Sequence, residues 1–189
     1  MELEFKPVVA GDIDRLRPFY GLRPNKTCDS VFLDSFLWKD YYHVQCAVSE
    51  GRAVLWLMEK DGQVSTAMPL CREEDLPYFF QQMVDYFSGV LHKPFYISLA
   101  DEEAVQCLNL DPALFEVEEQ VDLKDYLYSG EELRKLEGKK FVKKRNHLNG
   151  FKRTYEGRYE YRRLCCSDRH EVWQFMERWR QHKEEVGAM

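Results

Sequence analysis

Five side chains between positions 144 and 153 have the types and spacing to hold an anion: Lys144, Arg145, Asn146, Asn149 and Arg153. On a helical wheel Arg145, Asn146, Asn149 and Arg153 spread over about 100° and make one polar face. Guanidinium forks meet phosphate or carboxylate oxygens through pairs of parallel bonds. Asn both donates and accepts, so it orients a ligand as well as attracting it. These residues lie in the stretch 136–155, which puts seven Lys/Arg and two Asn into twenty residues. Phe141, Leu148, Phe151 and Tyr155 fall within about 80° of one another on the same wheel and are expected as the buried stripe. Gly150, inside this helix, costs about 1 kcal/mol relative to Ala. A close approach of backbone or ligand, or a bend, is therefore expected there.

The charge around this segment is uneven. Residues 134–183 carry 16 Lys/Arg against 6 Asp/Glu, whereas residues 1–133 carry 11 against 25, and the whole chain has a formal charge of −6. An acidic protein with one basic third is not a general nucleic-acid coat. Its field is local and steers an anionic ligand to one region. The competing reading is a solvated helix face, or a basic segment docked on the acidic part of the same chain.

Groups for covalent or acid–base chemistry are harder to find. His43, His92, His147, His170 and His182 are scattered, with no ordered nucleophile and base beside them. Asp101-Glu102-Glu103 and Glu118-Glu119 are neighbours in sequence only, and adjacent helix positions do not face each other. Catalytic residues therefore stay unassigned. Six cysteines, at 28, 46, 71, 107, 165 and 166, show no CxxC pair and read as reduced core thiols. Cys165-Cys166 with His170 lacks a fourth ligand, so no metal is expected. Trp38, Tyr41 and Tyr42 either stack a base or line a cleft, or belong to the core.

The elements that position these groups read as a mixed α/β domain. Residues 3–9 suggest an opening strand. Gly11-Asp12 starts a helix with Ile13, Leu16 and Phe19 or Tyr20 on one face, and Asp29-Ser30 caps another with Phe32, Leu33, Phe36 and Leu37. Strands are expected at 43–49, 52–59 and 63–70, joined at Glu50-Gly51 and Asp61-Gly62 as an antiparallel meander. Residues 73–91 switch to helical period, with Leu76, Phe79, Phe80, Met83, Val84, Phe87 and Leu91 as core. Residues 94–99 and 114–121 read as strands, 101–109 and 131–136 as short helices, and 159–164 as a strand before a helix at 168–183. In that last helix Val172, Phe175, Met176 and Trp179 form the inward face. No apolar run approaches the roughly 18 residues of a membrane span, and the N-terminus has no signal-peptide layout.

The stretch Leu136-Glu-Gly-Lys-Lys-Phe-Val-Lys-Lys-Arg-Asn-His-Leu-Asn-Gly-Phe-Lys resembles the L-x-GK…KRN-x-[IL]-N-x-F signature of a bacterial family of uncharacterised proteins. That family is similar to the C-terminal catalytic domain of phosphatidylglycerol lysyltransferase. Phe36-Leu-Trp-Lys-Asp-Tyr-Tyr resembles its aromatic F-x-W-x-x-Y segment. The resemblance implies a tandem GNAT-like acyltransferase fold: an α+β class, with a mixed sheet and an antiparallel meander flanked by helices. Residues 1–165 would form a first GNAT-like domain, and 166–189 a helix leading toward a second one, expected to be missing from this chain. Relatives in the wider group move an aminoacyl unit from aminoacyl-tRNA to a lipid or peptidoglycan acceptor. The implied function is an acyl- or aminoacyl-transferase domain that binds a tRNA acceptor end or an anionic lipid head group through helix 140–155. This chain alone is not expected to be a competent enzyme. The alternatives are a non-catalytic binding module on the same fold and a small-molecule N-acetyltransferase using acyl-CoA. The Q/R-x-x-G-x-G/A turn that would bind a CoA pyrophosphate is missing from the sequence, so no cofactor is expected beyond aminoacyl-tRNA or acyl-CoA as donor. Expected partners are tRNA or anionic lipid, with self-association through helix 168–183. The expected setting is cytoplasmic, or peripheral at a membrane surface.

Overall fold

The computed structural model describes residues 3–22, 27 and 30–187. The chain divides into two compact units, Met1–Tyr126 and Leu127–Met189. Together they give an α+β chain, whose described residues contain seven α-helices and one four-stranded antiparallel sheet.

In the first unit the sheet order follows the sequence: β1 (Lys6–Pro7), β2 (Gln45–Ser49), β3 (Ala53–Lys60) and β4 (Gln63–Ser65). The turns set its register. Glu50 and Gly51 both take positive φ, as do Asp61 and Gly62. That is the type I′ arrangement whose twist suits a right-handed hairpin. The N–H of Arg52 closes the first turn on the carbonyl of Ser49 at 3.0 Å, and Lys60 faces Gln63 across the second.

β3 alternates between two cores. Ala53 and Leu55 pack with Leu76, Phe79, Met83 and Phe87. Val54 and Trp56 pack with Val8, Leu16, Val44 and Cys46. A strand covered on both faces needs apolar residues at every position, and Ala53-Val-Leu-Trp56 supplies them. The first cover is α3 (Leu76–Tyr86), with Phe87–Leu91 continuing as a π turn to a left-handed cap at His92. The second cover comes from α1 (Ile13–Tyr20) and α2 (Phe32–Leu37), which add Leu16, Phe32 and Phe36. α4 (Glu102–Leu108) is capped by the Asp101 carboxylate, which accepts from the N–H of Ala104 at 2.8 Å, and it buries Ala104.

The second unit consists of α5 (Gly130–Lys135), α6 (Val142–Thr154) and α7 (Arg169–Gly187). The entrance to α7 is locked by Asp168. Its carboxylate accepts a two-pronged bond from Arg162 at 2.6 and 2.7 Å and the N–H of Cys165 at 2.8 Å. The Arg162 fork, and then the Cys165 amide, hold the Asp168 carboxyl well below the usual carboxylate range.

Three expected strands do not form. Segment 94–99 keeps a single parallel bridge, Thr66 to Ile97, because Pro94 has no N–H and Phe95 turns inward against Phe80 and Phe87. Segments 114–121 and 159–164 alternate as strands do but have no ladder partner among the described residues, and alternation without a neighbouring edge does not make a strand. The cap expected at Asp29-Ser30 lies partly outside the described residues, as does Cys28.

Candidate anion-binding site

α6 begins with a device that the sequence conceals. After α5, Leu136 takes a left-handed conformation (φ 51°) and Gly138 follows at φ 83°. The carbonyls of both residues point at Arg145, whose Nη1 donates to the oxygen of Leu136 and, at 2.9 Å, to that of Gly138. The guanidinium therefore holds the α5–α6 turn. Lys140 adds an ion pair to Glu132 at 2.8 Å, and Lys144 lies with its Nζ 5.8 Å from the centre of the Tyr128 ring.

One turn further on, Asn146, Asn149, Lys152 and Arg153 line an open depression of about 510 Å³. Lys152 and Arg153 also border a neighbouring depression of about 480 Å³, completed by Glu156, Gly157 and Tyr159. Of the residues singled out by spacing, Asn146, Asn149 and Arg153 thus share one surface, while Arg145 points back to the turn and Lys144 toward Tyr128. Lys152 was missed. The signal for it was available, because it follows Asn149 at i+3 and so shares its face. Lys152 and Arg153 form no ion pair among the described residues. Both sit in the last turn of α6, where cations also suit the helix dipole.

The apolar side of α6 departs from expectation. Phe141 is buried, but Leu148, Phe151 and Tyr155 stay roughly half exposed. Phe151 instead packs on Tyr155 and Tyr159, with ring centres 4.9 and 5.1 Å away. A side chain added at Gly150 would meet nothing within 4 Å, and α6 runs unbroken through it. Neither a close backbone nor a break explains the glycine.

Elsewhere the chemistry is sparse. His92 Nδ1 meets the Ser88 carbonyl at 3.0 Å and His170 meets Gln174 at 2.9 Å. Among the described residues, no group of three or more His, Cys, Asp or Glu could hold a metal ion. No described helix is long and apolar enough to cross a membrane. Cys46 and Cys71 are buried thiols as expected, whereas Cys165 and Cys166 are exposed. Burial pushes the Cys46 thiol up, against the pull of Arg15. Trp38 and Tyr41 are half exposed, while Tyr42 joins the core around Trp56.

Comparison with known proteins adds three findings. The family described as phosphatidylglycerol lysyltransferase, C-terminal, matches residues 21–189. A crystal structure of a conserved protein of unknown function from Bacteroides thetaiotaomicron VPI-5482 is similar, with a TM-score of 0.82 and 24% identity over 98% of this chain and 62% of that one. The chain thus spans less than two thirds of that protein's length, and at this identity the likeness speaks for the fold alone. No curated protein matches.

Proposed function

The chain belongs to the phosphatidylglycerol lysyltransferase C-terminal family, and from that premise we propose that it is a domain of an aminoacyl-transferase whose α6 surface holds a phosphate-bearing donor or acceptor. The observation that carries this reading is the open depression lined by Asn146, Asn149, Lys152 and Arg153, where neither cation has an ion-pair partner among the described residues. Two cations supply attraction, and two carboxamides supply directional bonds to phosphate oxygens. Arg145 contributes by fixing the start of the helix, and Lys144, toward Tyr128, adds only to the charge of the segment. The ligand is the phosphate backbone of a tRNA acceptor end or the head group of an anionic lipid, the latter reached from a membrane surface.

In transfer of this kind an amine or hydroxyl attacks the acyl carbon directly, so positioning and stabilisation of the developing oxyanion dominate. The α6 surface serves the positioning part. A GNAT-like architecture fits this role and is part of the proposal, as is a domain division that carries residues 1–165 in a first such domain.

The test is binding of tRNA and of anionic vesicles at low and physiological salt. Asn149→Ala and Arg153→Ala should weaken binding several-fold more than Lys139→Ala, which lies outside the depression. Equal losses from all three substitutions would reduce the surface to diffuse charge and overturn the reading. An acyl-CoA titration that saturates would instead favour a small-molecule acetyltransferase.

A further inference from the structure

Cys165 and Cys166 are adjacent, both exposed, and placed where α7 begins. Cys165 is the N-cap of the short turn Cys166–Asp168 that leads into the helix, a position that Ser, Thr, Asp or Asn usually fills. Its backbone and its thiol both serve the Asp168 lock. The Cys165 N–H donates to the Asp168 carboxylate at 2.8 Å, and the thiol donates to the same oxygen at 3.3 Å. The thiol also lies 2.9 Å from the Ser167 hydroxyl, and the Asp168 N–H returns a bond to the Cys165 carbonyl at 3.0 Å. A serine at 165 could hold these contacts, so capping alone does not call for a thiol there. It calls for nothing at Cys166, whose side chain has no hydrogen-bond partner among the described residues.

We propose that Cys165-Cys166 is a dithiol modification site for low-molecular-weight disulfides, and that its oxidation state sets how firmly the start of α7 is tied. The Cys166 thiolate attacks one sulfur of R–S–S–R, one R–S⁻ leaves, and a mixed disulfide forms. The Cys165 sulfur, one residue away, then attacks the Cys166 sulfur and expels the second R–S⁻. The cysteines give up two electrons and two protons, and the reagent departs as two R–SH. Successive Cα atoms stand about 3.8 Å apart, below the roughly 4.4–6.8 Å that disulfides usually span. The ring therefore closes only if the backbone at 165–166 moves, and a bond strained in this way is readily reduced. Closure consumes the thiol proton that Cys165 gives to Asp168 and displaces the amide beside it. Arg162 is then left to hold Asp168 without them. The site lies apart from the α6 depression in chemistry and stands or falls without it.

The experiment treats the chain with oxidised glutathione and then with dithiothreitol, maps its peptides by mass and follows amide hydrogen exchange. The peptide with both cysteines should become lighter by two hydrogens, carry no glutathione, and recover its mass on reduction. Amides 168–172 should exchange about fivefold faster in the oxidised chain, the scale of one lost helix cap, and slow again on reduction. Cys165→Ser keeps a capping side chain and so preserves the fold. In that variant the reaction should stop at a glutathione adduct on Cys166, with exchange at 168–172 unchanged. A wild-type pair that stays reduced, keeps a glutathione adduct, or bonds instead to another cysteine or another copy overturns the site. A closed ring without faster exchange overturns the coupling to α7, as does an acceleration that Cys165→Ser shows equally.

Discussion

Arg145 illustrates how a side chain of the right type can be committed elsewhere. Its guanidinium bonds two carbonyls of the α5–α6 turn, so Arg145→Ala should act first on stability. Leaving those carbonyls to water should cost about 1 kcal/mol, read by chemical denaturation, and Arg145→Lys should restore only part of that because an ammonium lacks the fork. Gly150 behaves in the opposite sense. With open space around it, Gly150→Ala should stabilise α6 by about 1 kcal/mol, and an unchanged or lowered denaturation midpoint would refute this. Asp168 supplies a pH dependence. Its folded pKa is depressed, so its contribution is present above the unfolded value of about 3.9 and is lost as pH falls through and below it. The stability gap between wild type and Asp168→Asn should therefore be constant near neutrality and close as pH drops below about 4. A gap that widens on acidification would reverse the sign of the argument.

Elements were legible where local signals agreed with long-range need. The Glu50-Gly51 and Asp61-Gly62 turns, the alternating strands between them and the apolar stripe of α3 all point to the same hairpins and cover, and the structure has them. Segments 114–121 and 159–164 have the alternation but no ladder partner among the described residues, and 94–99 keeps only its bridge to Thr66; no periodicity reports on that. The polar face of α6 was readable from spacing, whereas the recruitment of Arg145 depended on the left-handed Leu136, a backbone choice that its side chain does not advertise. The inward face expected of α7 is exposed at Val172, Phe175, Met176 and Trp179, and Trp173 beside it is 71% exposed. A helix with this much uncovered apolar surface should associate. Sedimentation should show a mass that rises with concentration, and Phe175→Ser with Trp179→Ser should return it to the monomer. A constant monomer mass in the wild type across the micromolar range would dismiss this.

At the scale of the whole molecule, the decisive property is the separation of charge along the chain. Residues 1–133 are strongly acidic and 134–183 strongly basic, within a total of −6. A polyanion is repelled by most of this protein and attracted by one segment, so it can bind only in orientations that present it to that segment. Uniformly basic proteins make many interchangeable phosphate contacts and show correspondingly steep salt dependence. Here the cations that line the depression are few: Lys152 and Arg153, with Lys144 further along the helix beside Tyr128. Two to three phosphate contacts predict a slope of log affinity against log salt of about −1.4 to −2 for a single-stranded tRNA end. Lys152→Ala should make that slope shallower by about 0.7, whereas Asn149→Ala should lower affinity without changing it, because an uncharged carboxamide releases no counterion. The measurement is fluorescence anisotropy of a labelled acceptor-stem oligonucleotide from 50 to 300 mM salt. A slope steeper than about −5 would mean that the whole basic third engages the ligand, and a slope that Asn149→Ala and Lys152→Ala alter equally would remove the distinction between attraction and orientation on which the α6 site depends.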